Sequence, residues 1–94
     1  MNQTPVNPTH EFIIDGTVIR TYHANTGDGL PKHEHVYQHA TQCHAGKLAV
    51  RKENVYVELT KDSQPVILKE NEWHELEALE DGTVFCNIFA EGKY

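Results

Sequence analysis

Short segments of alternating apolar and polar residues, separated by turn residues, constrain the fold of this chain more than any other feature. The segment Val55 to Leu59 alternates cleanly, which is typical of a strand with one buried face. Asp15-Gly16 lies between two segments rich in strand-forming residues, and this position favours a tight hairpin. Asp81-Gly82 marks another turn before the strand-like segment 83–89. Many short strands joined by turns predict an all-β barrel or sandwich.

The length and charge of the chain limit its organisation and its partners. Its 94 residues suffice for one domain only. The polar start carries Pro5 and Pro8, so we predict a flexible segment over residues 1–9 and a single domain over residues 10–94. A net charge of −6 without a basic cluster argues against nucleic acid or a membrane as the partner. The start has neither the charged nor the apolar region of a secretion signal, so we expect a cytoplasmic protein.

Four histidines are candidates for binding one metal ion. His33 and His35 are two positions apart, so on a strand they point to the same face and can share an ion. On a straight strand His39 would lie about 13 Å from His35, near the limit for a common ion, so the chain must bend or cross to a neighbouring strand. His74 can arrive only through tertiary structure. A closed barrel, whose strands bring side chains together in its interior, meets both conditions.

The spacing Gly27-x5-His33-x-His35-x3-His39-x6-Gly46 resembles the first sequence motif of the cupin family. Residues 63–78 are similar to the second cupin motif, of which only His74 is intact, with Lys69, Asn71 and Ala78 replacing a proline, a glycine and an asparagine. Because Asn is the next best residue to Gly for a left-handed turn, we expect the loop geometry to persist. The resemblance covers about residues 20–90 and implies a small single-domain cupin, a β-barrel of the double-stranded β-helix (jelly-roll) type.

The cupin resemblance also implies a metal site. In that family two histidines and a glutamate of the first motif and the histidine of the second motif bind a divalent metal inside the barrel. His33, His35 and His74 are therefore implied ligands of one transition metal ion, either zinc, iron, nickel or copper. His39 occupies the glutamate position, with Gln38 as the alternative fourth ligand. Four neutral imidazoles leave the ion's +2 charge uncompensated, so we expect the site to attract a small anionic ligand.

The last long strand supplies candidate substrate-binding residues. Phe85, Asn87 and Phe89 lie at alternate positions and therefore share one face. That face is either a core face with Asn87 as its odd polar member, or a surface inside the barrel on which Asn87 orients a ligand oxygen. Trp73 is expected to serve in packing rather than as a substrate platform.

The remaining cysteines and histidines have simpler interpretations. Cys43 and Cys86 are too few for a disulfide framework and are expected to be buried thiols. Cys43 and its neighbour His44 follow His39 closely enough in sequence to be considered as metal ligands. His10 and His23 are expected to be surface residues.

Two functions from different classes agree with this pattern. The first is a metalloenzyme acting on a small anionic, carboxylate- or enolate-like substrate, such as a dioxygenase or an isomerase. The second is a non-catalytic, metal-dependent module that binds or senses a small molecule, since no Asp or Glu can be placed beside the metal as a general base. Cupin-like chains commonly form dimers, so we expect a homodimer with the hairpin around Asp15-Gly16 as the contact.

Overall fold

The computed structural model describes residues 4–34 and 36–92, which form ten β-strands in two five-stranded sheets. The strands are β1 (Thr4–Pro5), β2 (His10–Ile14), β3 (Thr17–Ala24), β4 (Asp28–His33), β5 (His39–Ala45), β6 (Leu48–Lys52), β7 (Val55–Leu59), β8 (Val66–Leu68), β9 (His74–Ala78) and β10 (Thr83–Ala90). Sheet A has the order β1-β4-β9-β6-β7, and sheet B has the order β2-β3-β10-β5-β8. The predicted all-β class is confirmed. The described part of the chain has no helix long and apolar enough to cross a membrane.

The predicted turns are present and have identifiable backbone causes. Asp15 (φ 49°) and Gly16 (φ 79°) join β2 to β3, with Ile14 paired to Thr17. Positive φ at both central residues is the type I′ geometry that Asp-Gly favours. Asn71 has a φ of 59°, which confirms the left-handed turn expected where it replaces the glycine of the second motif.

The hydrophobic core lies between the two sheets and is formed by inward-facing residues of both. Its buried cluster consists of Tyr22, Ala24, Cys43, Leu48, Val50, Leu59, Leu68, Leu76, Ala78 and Phe85. The ring of Phe85 stacks on Tyr22 at a centroid distance of 4.9 Å. Burial of each large apolar side chain contributes about 1.5–3 kcal/mol to the stability of the fold. The burial of this cluster is therefore the main interaction that holds the two sheets together.

The N-terminal segment predicted to be flexible includes a short paired strand. Thr4 donates its N–H to the carbonyl of Gly27, and Val6 donates its N–H to the carbonyl of Gly29, both at 3.1 Å. These bonds place β1 parallel to β4, and Val6 packs against the core. Residues 1–3 lie outside the described residues.

Strand pairing brings together residues that are far apart in sequence. In sheet A, His33 at the end of β4 pairs with His74 at the start of β9, after a register shift that follows Leu30. In sheet B, Thr41 of β5 pairs with Asn87 of β10. The segment 70–80, whose composition is helix-friendly, contains strand β9, which is hydrogen-bonded between β4 and β6.

Candidate metal centre

Three of the four predicted histidine ligands lie side by side between the two sheets. The ring of His74 is 4.4 Å from that of His33 and 5.2 Å from that of His39, measured between centroids. His39 and His74 are buried, and their Nε2 atoms are inaccessible to solvent. His39 comes from sheet B and the other two from sheet A, so the cluster exists only in the folded chain. His35, the fourth predicted ligand, lies outside the described residues.

The hydrogen bonds of the three rings fix which nitrogen carries the lone pair. Nδ1 of His33 contacts the carbonyl oxygen of Pro31, and Nδ1 of His74 lies 3.1 Å from the carbonyl oxygen of Glu72. A carbonyl oxygen can only accept a hydrogen bond, so both rings carry a proton on Nδ1. In a neutral imidazole the lone pair is then on Nε2, the arrangement found in histidines that bind metals.

A relay of two buried polar side chains sets the same tautomer in His39. The hydroxyl of Thr41 donates its proton to Oδ1 of Asn87 at 2.7 Å, so the hydroxyl oxygen of Thr41 accepts from Nδ1 of His39 at 3.4 Å. Thr41 is fully buried, and Asn87 is 7% exposed. The odd polar residue of the last strand is therefore connected to a predicted metal ligand through Thr41.

The spacing of the rings fits imidazoles that share an ion. With N–metal distances of ~2.1 Å and angles between 90° and 110°, the ring centroids of two ligands lie roughly 4.6–5.3 Å apart. The observed distances of 4.4 and 5.2 Å are close to this range. No three His, Cys, Asp or Glu side chains of the described residues surround one point as a group able to hold an ion. The rings are thus adjacent in pairs, with His74 between its two neighbours.

A cavity of about 330 Å³ opens beside these histidines. The residues that line it are Tyr22, Leu30, Pro31, Lys32, His33, Tyr37, His39, Asn87 and Phe89. Its volume suits a small molecule. No Asp or Glu occurs among these described lining residues, whereas Lys32 contributes a positive charge.

Two of the three predicted substrate-binding residues line the cavity. Asn87 and Phe89 do so, and the ring of Phe89 lies 5.4 Å from that of Tyr37. Phe85 shares their face of β10 but is fully buried in the core, where it stacks on Tyr22. The face is therefore a core face at one end and a cavity wall at the other.

Two cations lie against aromatic rings near the cavity. The Lys32 ammonium is 4.4 Å from the centroid of the Trp73 ring, and the Arg20 guanidinium is 5.1 Å from that of Phe89. Arg20 is also paired with Glu11. Stacking on a ring holds a cation in place without neutralising its charge, so Lys32 can attract an anion toward the cavity.

The alternative ligands are placed elsewhere. Gln38 is exposed, whereas its neighbour His39 is buried against His74. Cys43 lies in the core and donates to the carbonyl of Ala45 at 3.2 Å, and burial raises the pKa of its thiol. His44 is exposed, and its Nε2 is 3.2 Å from the sulfur of Cys86.

The remaining histidines and cysteines also match their sequence interpretation. His10 and His23 are exposed, as predicted, and the Thr9 hydroxyl contacts Nδ1 of both. Cys43 and Cys86 are buried free thiols, also as predicted.

Thr41, Lys32 and Tyr37 were not predicted from the sequence to belong to the site. Thr41 is two positions after His39 and on the same face of β5, which is the signal that would have suggested it. Lys32 directly precedes His33, and Tyr37 lies between His35 and His39, but no spacing marks either of them as a cavity residue.

Comparisons with solved structures identify the fold. An uncharacterized protein with a double-stranded β-helix domain from Klebsiella pneumoniae is 17% identical, with a TM-score of 0.76 over 94% of this chain and 74% of that one. A cupin superfamily protein from Desulfitobacterium hafniense is 11% identical, with a TM-score of 0.74 over 96% and 81%. A cupin-2 domain protein from Shewanella frigidimarina is 12% identical, with a TM-score of 0.72 over 97% and 85%.

Neither a protein-family model nor a curated protein matches this sequence. The structural likeness is nevertheless consistent among these neighbours. The chain has the fold of a small cupin domain, a double-stranded β-helix, as its sequence resemblance implied.

Proposed function

We propose that this cupin-fold protein binds one divalent transition metal ion through His33, His39 and His74, with His35 as the fourth ligand. The observation that carries the proposal is the contact of three imidazoles whose Nδ1 atoms are all hydrogen-bonded, so that Nε2 is the metal-binding atom of each. Imidazole-rich sites suit zinc, iron(II), nickel and copper.

In this proposal, the histidine side chains take up their final positions around the ion when it binds. Because the described rings are adjacent only in pairs, small rotations of the side chains are needed to direct all three nitrogens at one point. His35 follows His33 by two residues, the spacing that lets two strand residues reach the same ion.

The proposed ligand of this site is a small anion. Neutral imidazoles leave the charge of the bound ion uncompensated, and Lys32 is the charged residue among the described ones that line the cavity. When bound, the ion supplies Lewis-acid chemistry and, if it is iron, redox chemistry. We propose a metalloenzyme for a carboxylate- or enolate-like substrate in which Lys32 attracts the anion and Asn87 orients one of its oxygens. Dioxygenases and isomerases are the reaction classes that fit.

A non-catalytic binding module is the second candidate. The observation that favours it is the lack of an Asp or Glu among the described residues that line the cavity, because proton transfer in an enzyme of this kind ordinarily uses a positioned base. In this case the same residues bind an anion without converting it. A cytoplasmic location is part of both proposals.

The two candidates are separated by ligand binding and turnover measured on the same metal-loaded protein. Small carboxylic acids are screened by calorimetry, and those that bind are incubated under air and under nitrogen with product analysis. Product identifies an enzyme, and dependence on air identifies a dioxygenase. Binding without product under either gas identifies the binding module. If acids bind equally to metal-free protein, the proposed role of the ion is wrong.

The metal proposal itself is tested by titration of metal-free protein with Zn²⁺ and Ni²⁺. Replacing His74→Gln should lower the affinity by at least about tenfold, whereas His10→Gln, an exposed histidine on β2, should leave it unchanged. Equal affinities of both variants would contradict the proposed ligands. Circular dichroism of each variant checks that the sheets are retained.

A further inference from the structure

The outer face of sheet B, which points away from the core, carries an apolar row across all five strands. The backbone register places Phe12, Ile19, Ile88, Ala40 and Ile67 side by side, one from each of β2, β3, β10, β5 and β8. Phe12 is 55% exposed and Ile67 47% exposed. These two residues therefore leave apolar surface in water at opposite edges of the same face.

The rest of this face is uncharged as well. Alternate residues of β3 from Thr17 to His23 and of β10 from Val84 to Ala90 point outward, and none of them is Asp, Glu, Lys or Arg. The same holds for the outward residues of β2, β5 and β8. Because 23% of the chain is charged, a solvent-exposed sheet face would be expected to carry several charges.

The outer face of sheet A, in contrast, carries charged residues that form ion pairs. Arg51 of β6 pairs with Glu77 of β9 at 2.9 Å, and Lys47, which directly precedes β6, pairs with Glu58 of β7 at 4.0 Å. The Arg51 guanidinium also lies 5.3 Å from the ring centroid of Tyr56. The two outer faces of the same domain thus differ in charge, and the uncharged one has the composition of an interface.

We propose that the outer face of sheet B packs against the same face of a second copy of this chain. The occupant is a second copy because the chain carries a net charge of −6, and two such chains approach with least repulsion through a face that has no charge. Five strands about 4.8 Å apart and three to eight residues long present a face of roughly 500 Å² in projection. This area is of the order of the ~800 Å² that each partner contributes to a stable interface.

In the proposed pair the twofold axis runs parallel to the strands of sheet B. β10 is the central strand of sheet B, so a twofold axis along it places β2 of one copy over β8 of the other. Phe12 then lies over Ile67 of the partner subunit. A hollow of about 360 Å³ beside Ala40, Ile67 and Ile88 offers space for an inserted ring. The strands of sheets that pack face to face lie within about 30° of each other. At such an angle the apolar rows of the two copies remain in contact.

The arrangement differs from the dimer expected from the sequence. Pairing through the hairpin around Asp15-Gly16 would join the β2 edges of two copies and would not involve β8, which lies at the opposite edge of sheet B. Packing of the two outer faces, in contrast, involves both edge strands of sheet B, β2 and β8. A substitution on β8 therefore distinguishes the two modes.

The test is the mass of the protein by sedimentation at micromolar concentrations, compared among three lysine variants. Phe12→Lys and Ile67→Lys should each raise the dimer dissociation constant at least about tenfold, because each places an unpaired cation in the contact twice. Val55→Lys is the matched control, since Val55 is a β-branched residue on a strand of sheet A with 43% exposure. Each substitution changes the net charge from −6 to −5, so general repulsion cannot explain a loss of dimer.

The expected result for the native protein is twice the 10.7 kDa monomer mass, lost in both face variants and kept in the control. A monomeric native protein would overturn the proposal. A dimer that survives Ile67→Lys but not Phe12→Lys would also overturn it and would indicate pairing of β2 edges. Circular dichroism shows that each variant remains folded. None of these outcomes depends on the proposed metal.

Discussion

The exchange of Thr41 for valine isolates the hydroxyl that connects Asn87 to His39. Valine has nearly the same shape, so the fully buried site remains filled while both hydrogen bonds of the hydroxyl disappear. The donor to Oδ1 of Asn87 is lost, and Nδ1 of His39 loses the acceptor that favours its tautomer. We expect weaker metal binding and a modest loss of stability.

The structure sets the size of both effects. Removing a hydrogen-bond partner from a buried group costs about 1–3 kcal/mol. Asn87 lines the cavity, where water can replace the lost donor, so we expect a decrease of about 1 kcal/mol in the free energy of unfolding of the metal-free protein. Loss of a residue that orients a metal ligand typically reduces affinity 10–100-fold. The 3.4 Å bond to His39 is long, so the expected reduction is about tenfold.

The assay is competition with a chelator of known affinity for Zn²⁺, combined with urea unfolding of the metal-free protein. Thr41→Ser, which keeps the hydroxyl, is the control and should bind zinc within about twofold of the native affinity. Native affinity in the valine variant would refute the role of the relay. Equal losses in both variants would assign the effect to the missing methyl group rather than to the hydroxyl.

Three further predictions concern the fold. Phe85→Ala should lower the free energy of unfolding by about 3–5 kcal/mol in urea, because Phe85 is fully buried against Tyr22; a loss below 1 kcal/mol would contradict its place in the core. Gly46→Ala should destabilise more than Gly16→Ala, since both have positive φ but a Cβ at Gly46 would also collide with Thr83; equal urea midpoints would contradict this. The N–H of Thr26 donates to the Asp81 carboxylate and holds its pKa below the ordinary value of 3.8, so the stabilisation is present above pH 3.8 and lost as pH falls below it. Asp81→Asn should lack this part of the pH dependence of the free energy of unfolding, and the difference should be small because the side chain is exposed. Parallel profiles of the free energy of unfolding for both proteins from pH 5 to pH 2.5 would argue against the bond.

Local features of the fold were predictable because their causes are local. Asp15 and Gly16 adopt positive φ because they are the two central residues of a type I′ hairpin turn. Asn71 adopts the left-handed conformation because its short polar side chain tolerates it. Strand β9 was not predicted, because residues 70–80 have a helix-friendly composition and no clear strand alternation. Within β9 the Glu77 carboxylate is buried and paired with Arg51 of the neighbouring strand β6, and this pairing across strands cannot be read from the sequence.

The candidate site was predictable in its ligands and not in its surroundings. The spacing of His33, His35 and His39 indicated a shared ion, and the family resemblance added His74, which the fold places against two of these residues within the described part of the chain. The sequence does not indicate at which residue of a strand the core ends and the cavity begins. Phe85 and Phe89 have the same periodicity, yet one stacks in the core and the other lines the cavity, because the neighbouring strands determine where the core ends.

The most direct test of the central claim is metal analysis of protein purified without a histidine tag, followed by X-ray absorption of the bound metal. We predict close to one divalent ion per chain, with three or four imidazole nitrogens at about 2.0–2.1 Å and no sulfur. Protein that contains no metal and takes none up on reconstitution would contradict it. A sulfur ligand at about 2.3 Å would contradict it equally, since Cys43 lies in the core and Cys86 contacts His44 on the outer face of sheet B.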